Sequence, residues 1–411
     1  MTLHSAVAVK CAPAFHSGRI CAGLRFAPSR MAIYLVTLLC VMNHAGFSGS
    51  RVLMPLYALE LGAGQFVVGI IIGLYALCPM FLAIYAGQLV DRVGPRLPML
   101  AGTVGTGAGL LLPFFFPGLT TLYISAVVMG TSFQFFFVAV HGTAGAIGGA
   151  ENRVRNYTWV SIGFSVAALC GPLIAGFSID YLGHVPAYLA LALCTVVPAL
   201  LLWLKPDFLP KATGESKEGI ERKNALDLLR IPKLRTSFIA SGLISAAFDL
   251  YQLYFPIYGH AIGLSASTIG IVVGTFAIGV FAIRVVLPWL VRRFAETDVL
   301  IYAIGVGALT FMLFPLLENP FLLAGVAFML GLGCGCGQPI SGSLIYSLTP
   351  PGRQSEGAGV RVMFNNVVHL VVPVVFGGIG TAFGFMPVFA SISMLLLSGS
   401  VYTHRSNARI A

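Results

Sequence analysis

Ionisable side chains inside long apolar runs are the first candidates for chemistry in this sequence. A charge in hydrocarbon costs about 2.5–3.5 kcal/mol on insertion scales, so each one is expected to serve a function or a specific contact. Away from their ends, the runs contain few charged residues: Arg51, Asp249, Arg284 and, near the start of its run, Arg361. Arg51 shares one helical face with His44 and Ser48, because the three residues follow the spacing i, i+4, i+7.

A second polar face lies in the later half of the chain. By the same spacing, one face of a later run carries four polar residues: Ser241, Ser245, Asp249 and Gln252. An offset of 201 residues superimposes the two faces, pairing His44 with Ser245, Ser48 with Asp249 and Arg51 with Gln252. The two halves therefore carry a polar face in the same place, with different chemistry.

The elements that position these residues must be membrane-spanning helices. The 411 residues are 57% hydrophobic and only 9% charged, whereas soluble domains average about 25% charged residues. The net charge of +10 does not indicate nucleic-acid binding, because the basic residues are spread over short loops. Twelve apolar segments approach the ~20 residues that a spanning helix needs: 31–58, 64–86, 97–116, 119–142, 156–180, 186–204, 235–257, 266–290, 298–316, 320–347, 357–382 and 385–402. The sequence predicts an all-α integral membrane protein.

A long polar stretch at 205–234 divides the predicted helices into two units of six, 31–204 and 235–402. Residues 1–30 are basic and contain no acid. A transit peptide has this composition. Two other interpretations are favoured over it: a cytoplasmic tail, or a start of translation at Met31. Residues 403–411 are predicted to be a second tail.

Alternate loops differ in charge. Six loops contain no Lys or Arg: 59–63, 117–118, 181–185, 258–265, 317–319 and 383–384. The loops on the other side carry basic residues throughout, for example Arg92, Arg153 and Arg292. By the positive-inside rule, both termini and the central stretch are cytoplasmic. We expect a multi-pass protein of a bacterial inner membrane.

The offset of 201 residues holds across most of each half. Identical residues coincide at many positions: Pro55 with Pro256, Tyr57 with Tyr258, Gly62 with Gly263, Gly69 with Gly270, Gly73 with Gly274, Gly130 with Gly331, Pro172 with Pro373 and Gly176 with Gly377. So many matches at one offset indicate parallel duplication of a six-helix unit.

A polar stretch at 87–96 interrupts the apolar runs and is expected to be a tight loop, because its charges could not be satisfied in hydrocarbon. Its pattern, Gly87-x-Leu89-x-Asp91-Arg92-x-Gly94-x-Arg96, resembles the cytoplasmic loop signature of the major facilitator superfamily. The helix count, the duplication and the central stretch fit the same family over residues 31–402. The second-half counterpart, Arg284-x-x-x-Pro288-x-Leu290-x-Arg292-Arg293, is degenerate.

The fifth segment also resembles a motif of this family, through Ala167-x-x-x-Gly171-Pro172-x-x-Ala175-Gly176. The motif is associated with exporters, but small residues at this spacing equally serve close helix packing. One departure stands against a drug exporter. The family's proton-coupled drug exporters carry an arginine in the fourth helix where this chain has Ala126.

The resemblance implies two six-helix bundles that rock about a central cavity lined by the first and seventh helices. We predict Asp249 as the protonation site, with His44 second, because a carboxylate in a low-dielectric cavity can load and lose a proton. The alternative is a permanent Asp249–Arg51 ion pair. Arg51 could instead bind a substrate carboxylate or phosphate, or pair with Glu60.

Other polar residues are weaker candidates for the cavity wall. Gln134 could form hydrogen bonds there. Asn365 and Asn366 are adjacent on a helix, so at most one is expected to face the cavity squarely. His369 is expected to be a satisfied buried histidine. In the resembling family the 87–96 loop docks on the neighbouring half in the outward-open state, which assigns Asp91 and Arg92 to gating.

The sequence therefore predicts a secondary active transporter, acting as a monomer on a small-molecule substrate with proton coupling. Export of a hydrophobic or amphiphilic compound leads, and proton-coupled uptake of a small organic anion is the alternative. No nucleotide-binding Gly-x-x-x-x-Gly-Lys-Ser/Thr occurs, and no cofactor or metal is expected. An enzyme or receptor is disfavoured, since neither a clustered catalytic constellation nor a soluble signalling domain is evident.

Overall fold

The computed structural model describes residues 28–148, 152–204, 208–209, 225–350 and 353–408. These ranges contain twelve helices long and apolar enough to cross a membrane. Their bounds are α1 Pro28–Glu60, α2 Gln65–Val93, α3 Arg96–Phe115, α4 Leu119–Ala146, α5 Arg153–Leu182, α6 His184–Leu204, α7 Pro232–Ala261, α8 Ala266–Arg293, α9 Glu296–Leu313, α10 Pro320–Leu348, α11 Gln354–Phe383 and α12 Phe385–Ala408. The predicted all-α membrane fold is confirmed.

The structure differs from the predicted bounds at the central stretch and at the C-terminal tail. Within the central stretch, a 3-10 helix occupies Ala225–Arg230 and α7 begins at Pro232. Proline suits the first helical position, where its missing N–H would have no partner. The predicted 403–411 tail continues α12 as far as Ala408. Of the predicted 1–30 tail, residues 28–30 belong to α1, and residues 1–27 lie outside the described residues, as does most of the central stretch.

The tight loop expected at 87–96 is wrong for most of its length. Helix α2 continues to Val93, and only Gly94 and Pro95 separate it from α3. Gly94 takes φ +82°, a conformation that favours glycine. The 29 residues of α2 extend about 44 Å at ~1.5 Å per residue, more than a core of about 30 Å. The polar residues therefore lie on helix that projects from the membrane.

The helices form an N-half (α1–α6) and a C-half (α7–α12). We call the end where α2 meets α3 and α8 meets α9 the basic end, because it carries Arg92, Arg96, Arg292 and Arg293. The other end, where α1 meets α2 and α7 meets α8, is the opposite end. The halves meet chiefly where α2 packs on α11, α5 on α8, and α1 on α7.

Glycines matched by the 201-residue offset make the same crossings in both halves. A Cβ on Gly69 of α2 would collide with the carbonyl oxygen of Pro373 in α11. A Cβ on Gly270 of α8 would collide with that of Pro172 in α5. Both crossings lie in the half of the bundle nearer the opposite end, so they bring the N-half and C-half into backbone contact there.

Candidate functional site

A cavity of about 280 Å³ lies between the two halves. The N-half supplies Phe47, Arg51, Ile72, Tyr75, Ala76, Pro79, Gly130, Phe133, Gln134 and Phe137, and the C-half supplies Val362, Asn365, Asn366 and His369. The N-half wall is thus largely apolar and aromatic, whereas the C-half wall is largely polar.

The cavity opens toward the basic end. Ile72 and Tyr75, which line it nearer the opposite end, are 2% and 5% exposed. Phe137 and Val362, which line it nearer the basic end, are 38% and 43% exposed. Together with the close crossings at the opposite end, this gradient describes a bundle closed at one end and open at the other.

Asp249 stands at the junction of the halves and is fully buried. Its Oδ1 accepts a hydrogen bond from Arg51 Nη2 of α1 at 3.2 Å. Its Oδ2 accepts one from His369 Nδ1 of α11. The Arg51 and His369 side chains are 20% and 33% exposed and line the cavity, whereas Asp249 is not part of its wall.

This arrangement differs from the sequence prediction in its histidine. His369 was a weak cavity candidate, expected to be a satisfied buried histidine; it lines the cavity and its partner is the Asp249 carboxylate. His44, the second predicted protonation site, instead stacks with Phe133 of α4 at 5.1 Å between ring centroids and meets Phe164 of α5 edge-on at 5.0 Å. Its Nδ1 is buried without a partner among the described residues. His44 therefore belongs to an aromatic cluster of the N-half.

A hydrogen-bonded network extends from the cavity into the C-half. Gln338 of α10 donates to Ser245 of α7 at 3.0 Å, and its Oε1 accepts from Arg361 of α11 at 3.0 Å. Ser241 donates to Asn365 Oδ1 at 3.3 Å. Arg361 makes no ion pair within the described part of the chain. The network holds α7, α10 and α11 at fixed rotations beside the cavity.

Gln338 was missed by sequence reasoning. The duplication contained a signal, because the offset of 201 residues places Gln338 on Phe137, which lines the cavity. The adjacent amides also differ from expectation, since Asn365 and Asn366 both line the cavity and Gln134 does as well.

Three predicted cavity residues lie outside the cavity wall. Ser245 belongs to the hydrogen-bonded network with Gln338, and the other two are Ser48 and Gln252. Ser48 packs in the contact between α1 and α5, where a Cβ on Gly171 would lie 3.0 Å from its Cβ. Gln252 is 8% exposed, and its Oε1 has no hydrogen-bond partner in the described ranges. Neither residue is part of the cavity wall.

The glycine-proline motif of the fifth helix lies at two helix crossings. A Cβ on Gly171 would lie 2.5 Å from the Ala45 carbonyl oxygen of α1, and one on Gly176 would collide with the Ala266 carbonyl oxygen of α8. Pro172 offers its own carbonyl to the crossing with α8. Close packing accounts for these positions.

The signature residues at the basic end fall into two groups. Arg96 donates to the carbonyl oxygens of Leu202 and Trp203 at 3.2 and 3.0 Å, and so caps the last turn of α6. Asp91 and Arg92 are exposed, with no hydrogen bond or ion pair among the residues described. A Cβ on Gly87 would meet open space.

Arg284 of α8 reaches across the halves, as its Nη1 donates to Ser161 of α5 at 3.4 Å. Its Nε is buried without a partner in the described chain.

These features define a membrane transporter whose binding cavity lies between two duplicated helical halves. The chain belongs to the Major Facilitator Superfamily, whose family model matches residues 36–373. It is therefore a secondary transporter and not an enzyme.

Curated relatives include the Multidrug resistance protein MdtG of Serratia proteamaculans (strain 568), which is 26% identical over 404 residues, 90% of this chain and 92% of that protein. MdtG of Enterobacter lignolyticus (strain SCF1) is 25% identical over 392 residues, 90% of each chain.

Solved structures share the fold at lower identity. A mutant of the nucleoside transporter NupG superimposes with a TM-score of 0.77 at 13% identity, covering 91% of this chain and 99% of that chain. A POT family transporter in complex with 5-aminolevulinic acid gives 0.78 at 13% identity, covering 93% and 97%. At such identities the likeness concerns the fold alone.

Proposed function

We propose that the protein is a proton-coupled exporter of a small hydrophobic or amphiphilic compound, working as a monomer by alternating access. The observation that carries this proposal is the position of Asp249. Its carboxylate is buried between Arg51 of one half and His369 of the other, directly behind the cavity. Ionisable groups inside membrane helices mark proton relays and substrate pathways.

Charge supports the orientation within this proposal. The basic end carries the four arginines that define it, so the positive-inside rule favours the cytoplasmic side of a bacterial inner membrane for this end. Both termini are then cytoplasmic, and the cavity as described opens inward. A substrate to be exported would enter the cavity in this state.

Asp249 is suited to couple proton movement to the rocking of the halves. As a carboxylate, it attracts Arg51 across the interface and His369 within its own half. A proton on Asp249 would remove its charge, and with it the attraction for Arg51 and the acceptor role of the carboxylate toward His369. The state of one buried group would thus change the contact between α1 and α7.

The two walls of the cavity favour an amphiphilic cargo. Phe47 and Phe133 stack at 3.9 Å between centroids on the N-half wall, and can pack against an apolar or aromatic group. Asn365, Asn366 and His369 offer hydrogen bonds on the C-half wall. Export itself is supported by the relatives, since the matched proteins of Serratia and Enterobacter are named multidrug resistance proteins.

A second candidate function is proton-coupled uptake of a small organic anion. Arg51 and His369 face the cavity, whereas Asp249 is hidden behind them, and the wall holds no carboxylate among the described residues. An anion bound to Arg51 would compete with Asp249 for it and favour protonation of Asp249. Anion and proton would then bind together and cross in the same direction.

The direction of proton exchange on binding separates the two functions. Purified protein in nanodiscs would be titrated with 2-naphthoate, 2-naphthamide and 2-naphthylmethylammonium, which share one ring system and differ in charge. Calorimetry in buffers of different ionisation enthalpy reports protons released or taken up. Proton release on binding supports exchange and export, whereas proton uptake with naphthoate alone supports anion uptake. Loss of proton exchange in Asp249→Asn is expected in either case, and its persistence would contradict the role of Asp249.

A further inference from the structure

Asp180, at the last turn of α5, binds the first turn of α8 in the other half. Its Oδ1 accepts a hydrogen bond from the Ala266 N–H at 3.0 Å, and its Oδ2 accepts one from the Ser267 N–H at 2.8 Å. The first N–H groups of a helix have no partner within the helix, and the positive end of the helix dipole favours an anion there. A carboxylate of the N-half thus caps a helix of the C-half.

The second crossing at the opposite end carries the equivalent contact. Thr381, at the end of α11, accepts a hydrogen bond from the Phe66 N–H of α2 at 2.8 Å. The 201-residue offset relates Asp180 to Thr381 and Phe66 to Ser267. The duplication has therefore preserved a cap between halves at both crossings, with the residue type changed.

Local capping does not make these contacts redundant. Residue Ser265 before α8 accepts a bond from the Thr268 N–H at 3.2 Å and leaves the two preceding N–H groups to Asp180. At α2 the N-cap residue is Gly64, which has no side chain to offer. If the halves separate at this end, both helices lose these partners.

We propose that Asp180 and Thr381 are positioning residues of the transport cycle, which hold the opposite end closed by capping helices of the other half. The two caps are unequal. Asp180 is charged and accepts from two N–H groups, whereas Thr381 is neutral and accepts from one, and charge-assisted hydrogen bonds are about twice as strong. Asp180 therefore sets most of the balance between the closed and open states of this end.

The close glycine crossings nearby do not supply this function. Gly69 and Gly270 permit the helices to touch. Glycine has no side-chain donor or acceptor, so none would lose its partner when the opposite end opens. The caps are polar, so opening exchanges them for water. Because of this exchange, substitution of a single capping side chain can change the free energy of the closed state relative to the open state.

The distance between spin labels at Leu61 of the N-half and Phe321 of the C-half tests the proposal. Both residues are exposed at the opposite end, by 41% and 87%. In a cysteine-free background, double electron–electron resonance would report the ratio of open to closed molecules. Loss of a helix cap changes such a ratio by about two- to thirty-fold. Asp180→Ala is expected to fall within that range, and Thr381→Ala is expected to have a smaller effect.

Glu60→Gln is the matched control, because Glu60 is an acid at the same end whose ion pair, 2.6 Å to His184, lies within the N-half. It should leave the ratio unchanged. The exchanged variant Asp180→Thr with Thr381→Asp is the decisive comparison, since it moves the stronger cap to the other crossing. Compared with Asp180→Thr alone, the exchanged variant should have a ratio of open to closed molecules nearer that of the wild type.

Two results would overturn the proposal. One is a distance distribution of Asp180→Ala that equals the wild type. The other is an exchanged variant that stays as open as Asp180→Thr alone.

Discussion

Arg51 and Asp249 connect the two halves of the transporter through an ion pair of 3.2 Å between Nη2 and Oδ1. The other carboxylate oxygen of Asp249 binds His369 within the C-half. One buried carboxylate therefore serves a contact between halves and a contact within a half at the same time. A change in its charge would alter both.

Asp249→Asn should abolish the dependence of transport on a proton gradient. The amide resembles the carboxylate in shape but does not exchange a proton near neutral pH, so it would hold Arg51 only weakly at every pH. Transport of a labelled naphthalene probe would be measured in proteoliposomes with and without an imposed pH gradient. Gradient-driven accumulation with unchanged pH dependence would show that another group couples the proton.

Arg51→Gln should lower stability because it leaves the buried charge of Asp249 without its partner from the other half. Loss of one member of a buried pair typically costs about 3–5 kcal/mol. The double variant with Asp249→Asn removes both charges and should recover most of that loss in thermal or denaturant unfolding. Arg230→Gln is the control, since Arg230 is 87% exposed. No recovery in the double variant would show that Arg51 stabilises through other contacts.

His369 and His44 should differ sharply in their effect on coupling. His44→Phe keeps an aromatic ring next to Phe133 and Phe164, so transport and its pH profile should remain near those of the wild type. His369→Gln keeps a hydrogen-bond donor for Asp249 but removes a titratable ring from the cavity wall. Its pH profile should shift although substrate still binds. The reverse pattern, with His44→Phe uncoupled, would restore His44 as the proton site.

The duplicated architecture could be predicted because its signals can be counted along the sequence. Helix number follows from the length of the apolar runs, and the duplication follows from residues such as Gly69 and Gly270 that recur at one offset. The contact between Arg51 and Asp249 was an explicit alternative, since both residues lie on the polar faces of helices expected to line one cavity.

The role of His369 could not be predicted in the same way. Whether it faces Asp249 depends on the rotation of α11, and that rotation is fixed by partners on other helices. On α11, Arg361 binds Gln338 of α10 and Asn365 binds Ser241 of α7. Similarly, periodicity placed Ser48 on a face shared with Arg51, but a helix face is broad enough for one residue to meet α5 and another to meet the cavity.

Gly130→Ala should destabilise the N-half. A Cβ at this position would collide with the Tyr75 carbonyl oxygen where α4 crosses α2. Overpacking of this kind costs about 1–3 kcal/mol. Gly142→Ala in the same helix is the matched control, because its Cβ would meet only Val90 Cγ1 at 3.6 Å. Since alanine favours helix over glycine by about 0.5–1 kcal/mol, the control should be neutral or slightly stabilised. Equal stability of the two variants would contradict the proposed close crossing.

Asp91→Ala should slow the transport cycle and leave substrate affinity largely intact. Asp91 is exposed at the basic end, is not part of the cavity wall, and forms no ion pair in the described residues of this arrangement, which is open at the basic end. We expect it to act when that end closes, where a carboxylate can meet a helix N-terminus or an arginine of the C-half. Loss of such a contact raises the free energy of the closed state, and therefore lowers turnover, without changing the groups that bind substrate. Turnover in proteoliposomes and the dissociation constant in nanodiscs would be measured together, with Asp227→Ala as a control for an exposed acid at the same end. A selective loss of affinity with unchanged turnover would place Asp91 in substrate binding instead of gating.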